Sequence, residues 1–221
     1  MSELLSVETV FLTLLDYPMS YLEFVGTVLY LASVWLIAQR NVLTWPMGIA
    51  SVLLYMALFY QIRLYSDTLE QLYYLGARVY GWWYWCSSEP HGRVVRDVRY
   101  GTRAVLVRWA VITAATSAAL GAAMTQVHVW MPALFPAPAA YPYVDALTTV
   151  MSMVAMWLMA RKQVESWVYW IVVDAIGIWL YFVQGVRFVS LLYAVLLVLA
   201  IRGLIDWSRA RQAAVGLKLQ A

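Results

Sequence analysis

Seven apolar runs, each long enough to cross a lipid bilayer, fill most of the chain between residues 22 and 206. They cover about 22–39, 43–61, 66–86, 104–126, 143–160, 166–184 and 188–206. A helix needs roughly 20 apolar residues to span the hydrocarbon core, where every backbone polar group must be satisfied internally. The pattern therefore predicts an all-α integral membrane protein with seven transmembrane helices. Of its 221 residues, 12% are charged and 64% apolar, whereas a soluble domain carries about 25% charged residues.

Other signals exclude function classes. Cys86 is the one cysteine, so no internal disulfide forms, and His91 and His128 are too far apart for a zinc-ligand spacing. There is no glycine-rich phosphate loop, no HExxH and no G-x-S-x-G, so no cofactor or metal is expected. The net charge of +3 reflects arginines flanking apolar spans, with membrane lipid rather than nucleic acid as the partner. The start, Met1-Ser2-Glu3, lacks the basic region of a signal peptide. The apolar stretch Leu4 to Leu15 is too short to span, and residues 1–21 read as an interfacial segment, helical or re-entrant.

Orientation follows from charge. Ten arginines and lysines, from Arg40 through the cluster Arg93, Arg96, Arg99 and Arg103 to Lys218, lie on one side, and Arg63 and Arg187 on the other. The positive-inside rule then places the C-terminus in the cytoplasm and the N-terminus outside. The Pro-rich segment 128–142 falls outside.

A constant shift of 122 superimposes the two halves. Trp35-Leu36-x-Ala38 falls on Trp157-Leu158-x-Ala160, Trp45 on Trp167, Gly81 on Gly203 and Trp85 on Trp207, with 11 identities in 56 ungapped positions from Tyr30 onward. The expectation is a parallel duplication, with three-helix repeats at 22–86 and 143–207. Residues 87–142 hold a basic loop, a linker helix and an external loop, and 208–221 form a cytoplasmic tail. The linker helix is rich in small residues, which permit close helix contact in lipid, and is expected to tie the repeats together.

Polar groups at membrane depth mark the candidate site. The sixth run carries Trp167-x-x-Trp170-x-x-x-Asp174-x-x-Gly177-x-x-x-Tyr181, which places all five on one helical face. Asp174 lies nine residues past Glu165, about 13 Å into the bilayer. A carboxylate at that depth requires pairing, protonation or hydration, and an acid framed by indoles suits a flat cationic ring. The third run adds Glu70, Gln71, Tyr74 and Arg78 along one polar edge. Gln71 offers donors and an acceptor to a ligand, whereas Arg78 either contributes to the site or neutralises Asp174 or a helix C-terminus. Trp82, Trp83, Trp85 and Trp207 are expected to anchor at the membrane interface. Trp45, before Pro46 and Gly48, suggests an irregular helix start or gate.

These residues resemble the PnuC family of bacterial vitamin transporters. The resemblance spans about 22–207 and rests on Trp45-Pro46-x-Gly48, Leu64-Tyr65-x-Asp67-x-x-x-Gln71, Tyr80-Gly81-Trp82-Trp83-x-Trp85 and the Trp167–Asp174 run. It implies a 3+1+3 arrangement like that of SWEET sugar transporters, a homotrimer, and facilitated diffusion of a vitamin precursor trapped by cytoplasmic phosphorylation. It also implies a bacterial inner-membrane location. Nicotinamide riboside carriers of the family use a glutamine like Gln71 and an amide or acid at the place of Asp174. The candidate binding set is therefore Trp45, Glu70, Gln71, Tyr74, Trp167, Trp170, Asp174 and Tyr181.

Nicotinamide riboside, whose pyridinium ring is cationic, is the leading substrate. Thiamine, with a thiazolium cation, uses the same physics. Neutral riboflavin, like a sugar, gives Asp174 no counter-charge. A membrane enzyme would need a second acid–base group or a metal beside Asp174, and a receptor would need a larger cytoplasmic output domain.

Overall fold

Each apolar run becomes a helix. In the computed structural model, which describes residues 6–7, 9–14, 17–62, 65–88, 98–132 and 138–219, a two-stranded ribbon precedes seven helices. The ribbon pairs β1 (Val10–Leu14) antiparallel with β2 (Tyr17–Ser20). The helices are α1 (Tyr21–Ala38), α2 (Thr44–Gln61), α3 (Tyr65–Ser88), α4 (Arg103–Trp130), α5 (Pro142–Ala160), α6 (Ser166–Val183) and α7 (Arg187–Leu219). Five of them, α1, α4, α5, α6 and α7, are long and apolar enough to cross a membrane. Arg63, Arg93 and Arg96 of the charge tally lie outside the described residues.

The shift of 122 reappears in backbone geometry. After α1 the chain turns through Arg40 at φ 60°, and after α5 through Lys162 at φ 61°. In each turn the left-handed residue bonds back to the helix, Arg40 N–H to Ile37 O and Lys162 N–H to Met159 O. The next residue does likewise, Asn41 to Leu36 O and Gln163 to Leu158 O. This pair of bonds satisfies carbonyls that a helix end would otherwise leave orphaned.

Packing repeats too. A Cβ on Gly81 would lie 2.3 Å from the Trp45 ring, and one on Gly203 2.5 Å from the Trp167 ring. Trp45 packs edge-on to Trp85 with centroids 5.2 Å apart, and Trp167 to Trp207 at 5.6 Å. Trp85 and Trp207 also meet each other, so four indoles form one chain through the middle of the molecule. Helices pack α1–α2–α3 and α5–α6–α7, and the two groups join through α3 with α5 and α1 with α7.

Three expectations need correction. Trp85 and Trp207 are fully buried, not lipid-facing anchors, because each helix end meets the other half of the chain; Trp82 and Trp83 are exposed. Residues 10–14 form a strand rather than a helix, since the pairing with β2 satisfies a run too short for a stable helix. The stretch expected as a tail from 208 continues α7 as helix to Leu219. Finally, α4 packs chiefly on α5. It buries Thr113, Ser117 and Gly121 while Ala114, Ala115, Ala118 and Ala119 stay exposed, so it joins one half rather than bracing both.

At the end of the basic loop, Arg99 forms a parallel bridge with Gln163. Arg99 N–H bonds to Lys162 O at 3.0 Å, Val164 N–H returns to Arg99 O at 3.1 Å, and Gly101 N–H reaches Glu165 Oε1 at 2.8 Å.

Candidate site: a central aromatic cavity

A cavity of about 590 Å³ opens between α1, α2, α3, α5, α6 and α7. Six tyrosines line it: Tyr17, Tyr30, Tyr55, Tyr74, Tyr181 and Tyr193. Their rings supply apolar area and their hydroxyls supply polar tips, which suits a ligand with both characters.

On the α6 wall, Trp167, Trp170, Asp174 and Tyr181 all face the cavity. Asp174 is 3% exposed and makes no hydrogen bond or ion pair with the described residues. Gly177 beside it leaves room for a ring, since a Cβ there would sit 2.4 Å from Tyr193. Tyr193 in turn stacks on Tyr181 with centroids 5.4 Å apart. This packing clamps α7 to α6 and stiffens the wall around the acid.

On the α3 wall stand Gln71, Tyr74 and Arg78. Arg78 is not bonded to Asp174; its Nη1 donates to Ser33 Oγ at 3.1 Å. From α1, Glu23, Thr27, Tyr30 and Ser33 complete a polar stripe. The ribbon covers one end. Tyr17 stacks on Phe188 at 5.3 Å, and its hydroxyl donates to Glu23 Oε1 at 2.9 Å. Burial and the adjacent Glu23 carboxylate raise the Tyr17 phenol above its usual range, so it remains a donor.

A partly polar, aromatic cavity enclosed by apolar helices is a place where a small molecule with both characters can bind. Residues 20–209 match the nicotinamide mononucleotide transporter family. The chain belongs to that family. Its members are transporters rather than enzymes. The chain is 29% identical over 208 residues to the nicotinamide riboside transporter PnuC of Escherichia coli, with 86% of each chain covered. It is 30% identical over 197 residues to the riboflavin/roseoflavin transporter RibM of Streptomyces davaonensis, covering 88% of this chain and 87% of that one. Its fold is similar to the crystal structure of the vitamin B3 transporter PnuC, with a TM-score of 0.62 and 24% identity over 87% of this chain and 83% of that one.

Within this nicotinamide mononucleotide transporter family member, six of the eight expected binding residues converge on the cavity: Gln71, Tyr74, Trp167, Trp170, Asp174 and Tyr181. Two do not. Trp45 is fully buried between Gly81 and Trp85, where it seats α2 on α3 rather than facing a ligand. Glu70 is not among the lining residues and stands behind Tyr74, accepting a hydrogen bond from Tyr74 Oη at 3.1 Å. Sequence reasoning missed Tyr30, Ser33, Tyr55 and Tyr193. For α1 the signal was present: Glu23, Thr27, Tyr30 and Ser33 recur every three or four residues in an otherwise apolar run. Among the described residues no group of three or more acids, histidines and cysteines could hold a metal.

Proposed function

We propose that this chain carries nicotinamide riboside inward across the bacterial inner membrane by facilitated diffusion, with trapping by cytoplasmic phosphorylation. The observation that carries the reading is Asp174, buried on the wall of a tyrosine- and tryptophan-lined cavity, without a hydrogen-bond or ion-pair partner among the described residues, with Trp167 and Trp170 beside it. A pyridinium ring offsets the carboxylate and stacks on the Trp170 indole. The named function of the E. coli relative supports the same substrate. Trp170, Asp174 and Gln71 contact the ligand, and Tyr74, Trp167 and Tyr181 shape the chamber around it.

The architecture we propose is 3+1+3: two parallel three-helix repeats joined by α4, with all seven helices crossing the membrane, the N-terminus outside and the C-terminus in the cytoplasm. The paired turns at Arg40 and Lys162 and the paired indole–glycine contacts support it. In this orientation the ribbon is an interfacial cap on the outer mouth. The assembly is a homotrimer, for which the exposed small-residue face of α4 offers a close-packing surface.

Riboflavin is the second reading, because the Streptomyces relative named for riboflavin and roseoflavin is as similar as the one named for nicotinamide riboside. Titration of purified protein with nicotinamide riboside, thiamine and riboflavin, followed by tryptophan fluorescence, separates them. Quenching that saturates at the lowest concentration with nicotinamide riboside supports the proposal. Saturation by riboflavin alone overturns it.

A further inference from the structure

The cavity holds a second buried charge that recognition of a simple cation does not use. Arg78 is 8% exposed and lines the same void as Asp174, from α3 where Asp174 stands on α6. No ion pair joins the two, and among the described residues Arg78 makes one hydrogen bond, from Nη1 to Ser33 Oγ, while its Nε has no partner.

The guanidinium sits in a prepared berth. A Cβ on Gly48 would lie 1.6 Å from Arg78 Nη1 and 2.6 Å from its Cζ, so only glycine leaves room for the head group. Ser33 is held in turn. Its hydroxyl lies 3.1 Å from the Thr44 carbonyl, and the Thr44 hydroxyl donates to the Ser33 carbonyl at 2.8 Å. With its own proton directed at Thr44 O, Ser33 Oγ is left as an acceptor for Arg78. At the 122 shift, Gly48 corresponds to Trp170 and Arg78 to Ala200. One half thus packs a large side chain of its third helix over a glycine of its second, whereas in the other half the corresponding positions hold an indole on the second helix and an alanine on the third. The Arg78 guanidinium and the Trp170 indole both line the cavity.

A buried guanidinium with an unfilled Nε donor and a buried carboxylate, neither with a further partner among the described residues, are each costly. One ligand relieves both when it is itself dipolar. We propose that Arg78 is a specificity residue that reads an anionic or acceptor-rich substituent on the ring whose cationic part Asp174 balances, so that the cavity prefers a zwitterionic pyridinium nucleoside bearing a ring carboxylate. The inference rests on the nicotinamide riboside reading and refines it. A planar fork of N–H donors matches both oxygens of a carboxylate, whereas a carboxamide offers one oxygen and turns its own donors toward the fork.

The test is isothermal titration of the purified, full-length protein with two ligands: nicotinamide riboside and its carboxylate analogue, nicotinic acid riboside. Wild type binds the carboxylate form tighter, by roughly tenfold. In Arg78→Gln both affinities fall and the ratio drops to one or inverts. In Arg78→Lys, which keeps the charge and loses the fork, the carboxylate form stays ahead by a smaller margin. Wild type alone decides the matter when a variant does not fold: a preference for the carboxamide form overturns the inference and leaves the nicotinamide riboside reading standing. An unchanged ratio in a folded Arg78→Gln protein also overturns it, because Arg78 then only braces α1 against α3. Riboflavin binding with neither pyridinium nucleoside bound removes both the substrate reading and this inference.

Discussion

The indole of Trp85 donates its N–H to the carbonyl oxygen of Ala160 at 3.1 Å, 75 residues away in the chain. Its counterpart Trp207 donates to the Ile37 carbonyl at 3.0 Å. Each bond ties the third helix of one three-helix group to the end of the first helix of the other, and both lie in the buried core. Replacing either tryptophan by phenylalanine keeps most of the packing and strands a buried carbonyl, at a cost of about 1–3 kcal/mol. The thermal unfolding midpoint of the detergent-solubilised protein should fall by several degrees for each. An unchanged midpoint in both variants removes their role as cross-ties.

Glycine substitutions should divide by what stands opposite. Gly81→Ala and Gly203→Ala drive a methyl group into Trp45 and Trp167, which are rigidly buried, and should destabilise by about 1–3 kcal/mol each. Gly76→Ala meets nothing within 4 Å and should be neutral or stabilising by up to about 1 kcal/mol, since it relieves a helical glycine. Thermal midpoints measured side by side check the contrast.

At Asp174, charge and hydrogen bonding separate. Asp174→Asn keeps the shape and an acceptor but removes the charge, and should weaken nicotinamide riboside binding by about 1–3 kcal/mol, roughly 5- to 150-fold. Asp174→Leu should abolish binding yet fold, as an apolar replacement of a buried ion is often tolerated. A destabilised Asn variant with normal affinity would give Asp174 a structural role instead.

The helices were legible because periodicity and run length are local properties. Of the six candidates that line the cavity, Trp167, Trp170, Asp174 and Tyr181 were legible as a group because they share one face of α6 whatever packs against it. Gln71 and Tyr74 were legible because they are polar positions within the run of α3. What escaped depends on contacts between distant segments. Trp85 and Trp207 read as interfacial anchors because a tryptophan at a helix end looks the same whether lipid or another helix lies beside it. The berth of Arg78 needs Gly48, 30 residues earlier, and Trp45 leaves the cavity wall because Gly81 accepts its ring. The ribbon was hidden because a five-residue apolar run has no period long enough to separate strand from helix.

Topology is open to a direct check. A reporter fused after Ala221 should read cytoplasmic, and one inserted near Ala139, between α4 and α5, should read external, as the distribution of arginine and lysine requires. A cytoplasmic signal at Ala139 contradicts the arrangement of seven crossings.

The carrier mechanism itself is tested by uptake of labelled nicotinamide riboside into proteoliposomes that contain no kinase. The interior concentration should rise to the exterior concentration and stop there, with or without an imposed proton or sodium gradient, and Asp174→Asn should slow the approach to that plateau. Accumulation above the exterior level that collapses with an ionophore, or no uptake at all by folded protein, would contradict facilitated diffusion of this substrate.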